Sequence, residues 1–177
     1  MGEPCRVFLI GMMGSGKTTI GRLVADATGW AYVDNDDLLR QMYGTTGRRI
    51  LEDGGEERLR ESEAAALTLG LRTEPPVLVG AAAGTILDAD SRRGLQAAGT
   101  VVYLRADAET LEARAMGGEH RAWLDTGGGS WIRRTLKERA SLYEATAHVI
   151  VDTDRREADD VAREVRSRIA ERCDAAR

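Results

Sequence analysis

Eight residues near the start of the chain, Gly11-Met12-Met13-Gly14-Ser15-Gly16-Lys17-Thr18, restrict its architecture more than any other feature. They fit the pattern G-x-x-x-x-G-K-[ST]. Its glycines let the backbone curl until successive N–H groups point inward, and the helix that follows adds its positive amino end. Such a loop works only between a strand and a helix. The flanks predict both: Arg6–Ile10 is a short β-branched run, and from Lys17 onward Ile20, Leu23, Val24 and Ala27 recur at the helical period until Gly29 stops it. The bland alternative is a glycine-rich turn that happens to contain a lysine, and the strand–loop–helix context argues against it. The loop is thus read as a nucleoside-triphosphate site. Gly14, Ser15, Gly16, Lys17, Thr18 and Thr19 face the phosphates, Lys17 reaches the β- and γ-phosphates, and the Thr18 hydroxyl is placed to ligate Mg²⁺. Lysine occurs only at Lys17 and Lys137 in a chain otherwise rich in arginine. Position 17 therefore demands the compact ammonium that arginine cannot supply.

The same alternation runs through the remaining sequence. Short strands are predicted at Ala31–Asp34, Val77–Gly80, Thr100–Leu104 and His148–Val151. Between them lie helical stretches at Asp36–Tyr43, Arg48–Glu52, Glu56–Leu69, Ala89–Ala98, Ala108–Met116, Trp131–Ala147 and Arg156–Cys173. Five strands alternating with helices imply one doubly wound α/β domain over residues 1–177. The stretch from Gly117 to Gly129, with Gly127-Gly128-Gly129, reads as a mobile flap. A net charge of −4 with no basic stripe argues against nucleic acid as partner, and no apolar run is long enough to span a bilayer. No secretory signal opens the chain, so a cytoplasmic location is expected. Cys5 and Cys173, near opposite ends and without ligand spacing, are expected to be unlinked thiols.

Asp34 and Asp36 end the second strand, where the carboxyl ends of a parallel sheet line the ligand crevice. If the extended conformation continues, the two side chains project on the same side. One carboxylate then holds a Mg²⁺-bound water while the other takes a proton from a substrate hydroxyl. Alternatively, Asp34-Asn35-Asp36-Asp37 is an acidic turn that caps the next helix.

These segments together resemble the shikimate kinase family. Phe8–Leu23 looks closely like its opening, and Tyr32-Val33-Asp34-Asn35-Asp36 matches its aromatic-x-Asp-x-Asp segment. Gly55-Glu56-Glu57-Arg58-Leu59-Arg60-Glu61-Ser62-Glu63 is similar to its G-E-x-x-F-R-x-x-E. Val101–Leu104, Arg114, Arg121, Arg139–Tyr143 and Val151-Asp152-Thr153 follow in the family's order. The resemblance implies a three-layer P-loop kinase fold: a five-stranded parallel sheet with helices on both faces, a substrate-binding insertion at about 35–63 and a lid at about 115–130. It implies a monomer that uses ATP and Mg²⁺ to phosphorylate a small molecule, most simply shikimate to shikimate 3-phosphate. Thr18 and Asp34 would serve the metal, and Lys17, Asp36 and Arg121 the chemistry. Asp36, Arg60, Ala82 and Arg139 would meet the acceptor, with the two arginines gripping its carboxylate and Glu63 orienting Arg60. Arg114 and Arg155 would face the adenine. Taken singly, Arg60 is equally a helix-surface partner of Glu56, and Arg139 a surface charge.

The match fails at the acceptor. Where the family carries three consecutive glycines, this chain has Ala81-Ala82-Ala83, and Arg121-Ala122-Trp123-Leu124 replaces Arg-Pro-Leu-Leu. Each added methyl is expected to crowd the ligand, and to cost about 1 kcal/mol or more wherever φ must be positive. Three readings therefore stand: a shikimate kinase with tolerated changes; a related kinase of gluconate, aminoshikimate or a cyclitol; or a nucleotide-binding protein without catalysis. The stretch Gly29–Leu38 also resembles gluconate kinases, though their following His-Pro is Leu39-Arg40 here.

Overall fold

A computed structural model describes residues 5–116 and 128–175. The strands are β1 (Arg6–Ile10), β2 (Ala31–Asp34), β3 (Val77–Gly80), β4 (Thr100–Arg105) and β5 (Val149–Asp152). All pair in parallel in the order β2-β3-β1-β4-β5. Parallel pairing requires each strand to return through a crossover, and the helices that supply it cover both faces. The alternation along β1 shows how. Phe8 and Ile10 join Val79, Val101 and Tyr103 in a core packed against Leu67, Leu95 and Tyr143. Val7 and Leu9 join Leu78, Val102 and Val151 on the other face, against Ile20, Val24, Val161 and Val165. Successive strand residues thus serve opposite cores, which is why these strands read as continuous apolar runs.

The helices are α1 (Lys17–Thr28), α2 (Asn35–Tyr43), α3 (Gly47–Arg72), α4 (Ala89–Ala98), α5 (Ala108–Met116), α6 (Gly128–Thr146) and α7 (Ala158–Ala175), with a 3-10 turn at Thr85–Leu87. Gly29 ends α1 in the left-handed conformation, its N–H returning to the Ala25 carbonyl, as the sequence predicts. The two helical stretches expected at Arg48–Glu52 and Glu56–Leu69 are halves of α3, broken at Gly55, whose φ of 76° and ψ of −176° leave the helix. A small satellite core of Leu38, Leu39, Ile50 and Leu59 binds α2 to α3. The predicted flap lies outside the described residues except for Gly128 and Gly129, which open α6.

One expectation is overturned. Cys5 and Cys173 are joined in a disulfide across 168 residues, with Cα atoms 6.2 Å apart. The reason is topological: helices run antiparallel to the strands they follow, so the end of α7 returns to the amino edge of the sheet, where β1 begins. Linear spacing carries no trace of that. Among the described residues no helix is long and apolar enough to cross a membrane.

Closing so long a loop restricts the unfolded chain, and replacing both cysteines by serine is expected to cost about 2–4 kcal/mol. Denaturant unfolding with and without dithiothreitol checks this: the reductant should reproduce the loss in the native chain and leave the double variant unchanged.

Candidate active site

The phosphate loop leaves β1 at Gly11. Gly11, Gly14 and Gly16 have φ of 149°, 82° and 93°, values that side chains resist. A Cβ at Gly11 would also stand 2.7 Å from both the Leu104 carbonyl and the Ser15 hydroxyl. Lys17 arches back over the curled loop, and its Nζ donates to the carbonyls of Gly11 (2.9 Å) and Met12 (3.0 Å). Burial pulls its pKa down to about 8, against the upward pull of Asp34, Asp36 and Glu63. Helix α1 starts at this lysine without a side-chain cap, so its first N–H groups face the loop's concavity. The Ser15 hydroxyl is buried without a hydrogen-bond partner among the described residues.

Beside the loop, the Thr18 hydroxyl donates to Asp34 Oδ2 at 2.8 Å. The Tyr32 hydroxyl donates to the same oxygen at 2.7 Å. Oδ1 accepts from the Asp36 N–H at 3.0 Å and so caps α2. The capping reading of this aspartate is realised, and its other oxygen faces the first turn of α1 beside the phosphate loop. The strand ends at Asp34, however, and Asp36 sits in the first turn of α2 rather than on continued extended chain. The helical turn, not strand pleating, brings Asp36 into the same cavity. Burial and the Asp34 charge push the Tyr32 phenol well above its ordinary value, so it remains a donor.

Arg60 and Arg139 converge on the loop after β3. Arg60 donates to Glu63 (2.8 Å) and Glu56 (3.0 Å). The surface pairing with Glu56 is thus present, yet the guanidinium also lines the cavity. Burial opposes its charge, but Glu63 and Glu56 more than offset that and raise its pKa. At Glu63 burial dominates and raises the carboxyl, opposed by Arg60 and Arg139. Arg139 is buried, not a surface charge, and donates to the Ala83 carbonyl at 3.4 Å. The Tyr143 hydroxyl holds that same carbonyl at 2.7 Å, while its ring stacks on Tyr103. Neither Tyr32 nor Tyr143 is marked out by sequence pattern as a polar contributor, because an aromatic residue beside a strand or on an apolar helix face reads as core.

The alanines carry no backbone penalty. Among the described residues Arg155 is the sole non-glycine with positive φ, so Ala81, Ala82 and Ala83 adopt ordinary conformations. Ala81 is buried in the core, whereas Ala82 and Ala83 are half-buried on the cavity wall. The glycines that flank them have the tight surroundings. A Cβ on Gly80 would lie 2.5 Å from the Tyr32 hydroxyl, and one on Gly84 only 1.7 Å from Arg60 Nη1.

A cavity of about 710 Å³ joins these parts. Gly14, Gly16, Lys17, Thr18, Thr19 and Arg114 line it on the loop side, and Asp34, Asp36, Arg60, Ala82 and Arg139 beyond. Arg114 is held by the Thr153 hydroxyl (3.0 Å) and carbonyl (2.7 Å). Arg155 is exposed on the following turn, outside that wall. Arg121 and Trp123 lie outside the described residues, as does most of the expected lid.

A glycine loop clasping its lysine, with a hydroxyl–carboxylate pair beside it at the carboxyl edge of a five-stranded parallel sheet, defines an ATP-dependent small-molecule kinase of the P-loop class. Within that class the chain belongs to the shikimate kinase family, whose profile matches residues 13–170. It is 36% identical over 169 residues to a shikimate kinase of Symbiobacterium thermophilum, covering 94% of this chain and 97% of that one. The structure of an Acinetobacter baumannii shikimate kinase in complex with shikimate superposes with a TM-score of 0.89 at 29% identity, covering 97% and 96% of the two chains. A gluconokinase from Sinorhizobium meliloti, at 18% identity and a TM-score of 0.67, shares the fold alone.

Gly84→Ala tests the approach of Arg60 to the backbone. Because a flexible side-chain end can move aside, stability should hold, but the displaced guanidinium should raise the acceptor KM about tenfold with little change in ATP affinity. Steady-state kinetics beside thermal unfolding separate these outcomes.

Proposed function

We propose that the chain transfers the γ-phosphoryl group of ATP to a hydroxyl of shikimate, giving shikimate 3-phosphate and ADP. The observation that carries this reading is the convergence, in one cavity, of a triphosphate loop, the Asp36 carboxylate and two arginines set for a carboxylate. The relative solved with shikimate supports the choice of acceptor. Arg60 and Arg139 present planar forks suited to a carboxylate, and the Glu63 pairing holds Arg60 in place before the ligand arrives. Asp36 takes the proton of the attacking hydroxyl as the new P–O bond forms and the bond to the β-phosphate oxygen breaks. Lys17 leaves the loop carbonyls to balance charge on the β- and γ-phosphates. Arg121, by the family resemblance, adds charge from the lid; Arg114, with Arg155 behind it, borders the adenine.

Mg²⁺ fits the residues present. Thr18 and Asp34 supply hard oxygen donors next to the phosphate loop, the set this cation prefers when phosphates complete its shell. Among the described residues no cluster of three His, Cys, Asp or Glu could hold a metal ion. When bound, the cation would supply positive charge that offsets the charge developing on the transferring phosphoryl group. Because Asp34 accepts the Thr18 proton, the hydroxyl can turn a lone pair outward. The reading includes a cytoplasmic enzyme, which its demand for ATP supports, and a monomer, as the family resemblance implies.

Turnover should require Mg²⁺ and vanish with EDTA, and Lys17→Ala or Asp36→Ala should lower kcat at least about a hundredfold. The acceptor is tested by comparing kcat/KM on shikimate, quinate, gluconate, aminoshikimate and simple cyclitols. Shikimate well ahead supports the proposal; another acceptor ahead transfers it to a related kinase, and ATP binding without turnover on any of them refutes catalysis.

A further inference from the structure

Tyr32 has more built around it than a core aromatic needs. Its ring packs against the sheet face that carries α1. Two glycines make room for it. A Cβ at Gly21 of α1 would fall 2.1 Å from the ring edge, and one at Gly80 of β3 would fall 2.5 Å from the hydroxyl. Neither glycine has positive φ, so backbone conformation does not demand glycine at either place. What demands it is the ring on one side and the hydroxyl on the other. A phenylalanine would fill the apolar part of this slot equally well. The hydroxyl end adds polar contacts, an interaction with the Thr18 side chain and a 2.7 Å hydrogen bond to Asp34 Oδ2.

That oxygen also takes the proton of Thr18. Without Tyr32, the orientation of Oδ2 would depend on an exposed threonine whose hydroxyl must also face a cation. With Tyr32, Oδ2 is held from the protein side by a half-buried donor on the same strand, and Oδ1 is held by the Asp36 N–H. We propose that Tyr32 is a positioning residue of the metal site: its phenol locks the Asp34 carboxylate in the orientation that accepts the Thr18 hydrogen bond, so that Thr18 would present a lone pair to a cation bound beside the phosphate loop. Gly21 and Gly80 are glycines in order to admit it. This inference rests on the Mg²⁺–ATP reading above.

Tyr32→Phe keeps the ring and removes the anchor. Mn²⁺ is the probe, with its binding to the enzyme–ADP complex followed by electron paramagnetic resonance. Its affinity should fall about ten- to a hundredfold in the variant, the usual effect of losing one hydrogen bond to a charged group. Affinity for ADP without metal should be unchanged, and kcat should recover at saturating Mg²⁺. Gly80→Ala leaves the phenol in place but drives it from Asp34, so it should reproduce the metal defect. The double variant should bind Mn²⁺ no worse than either single one. Thermal unfolding confirms that each variant is folded, and Gly80→Ala carries the test if Tyr32→Phe is not. Wild-type Mn²⁺ affinity in folded Tyr32→Phe overturns the proposal and leaves Tyr32 a core residue; so does a defect in Gly80→Ala that is additive with Tyr32→Phe. If the native chain itself binds no Mn²⁺ with ADP and phosphorylates nothing, the functional reading fails instead.

Discussion

The Asp34 carboxylate is where the parts of this molecule are fastened together. One oxygen caps α2, which carries Asp36; the other joins β2 to the first turn of α1 through Thr18. A single side chain thus fixes the acceptor-side helix relative to the phosphate loop. Carboxylate oxygens that accept from N–H and O–H groups form strong, oriented hydrogen bonds, so rotation at this one residue is costly. The cavity depends on that fixed angle, since Asp36 reaches it only as a residue of the first helical turn.

Much of this was legible in the sequence, for identifiable reasons. Phosphate loops need glycine, lysine and hydroxyl at set positions because backbone N–H groups must point inward, so Gly11–Thr18 declares itself. Buried parallel strands need apolar residues on both faces, so Arg6–Ile10 and Val77–Gly80 do as well. The acceptor side was less legible. Whether Ala81–Ala83 would be strained depended on the sign of φ, which a run of alanines does not encode, and the chain is relaxed there. The informative residues were the flanking Gly80 and Gly84, whose missing side chains admit Tyr32 and Arg60 from distant elements. Tyr143 was read only as part of a family segment, though its hydroxyl secures the Ala83 carbonyl. Contacts of that kind depend on three-dimensional register. The cysteine pair failed for the same reason, because 168 residues of separation look like independence.

The charges of the site are balanced before any ligand enters. Arg60 is met by Glu56 and Glu63, and Lys17 lies in the field of Asp34, Asp36 and Glu63. Arg139 is buried against a backbone carbonyl and opposes the raised pKa of Glu63. A half-buried set of opposed charges keeps its side chains oriented in ways that an isolated cation would not. The fold itself therefore orients Arg60 and Arg139, so a ligand reaching them would not bear that ordering cost.

The disulfide gives the chain a property unrelated to catalysis. With Cys5 and Cys173 bonded, the stretch between them forms one covalent ring, closed at a single corner. That corner is at the amino end of β1, while the phosphate loop is at the other, five residues and about 16 Å away along the strand. The bond that closes the ring therefore lies away from the working edge. A backbone cut in a surface turn would open that ring, yet the same bond would still hold the start of β1 to the end of α7.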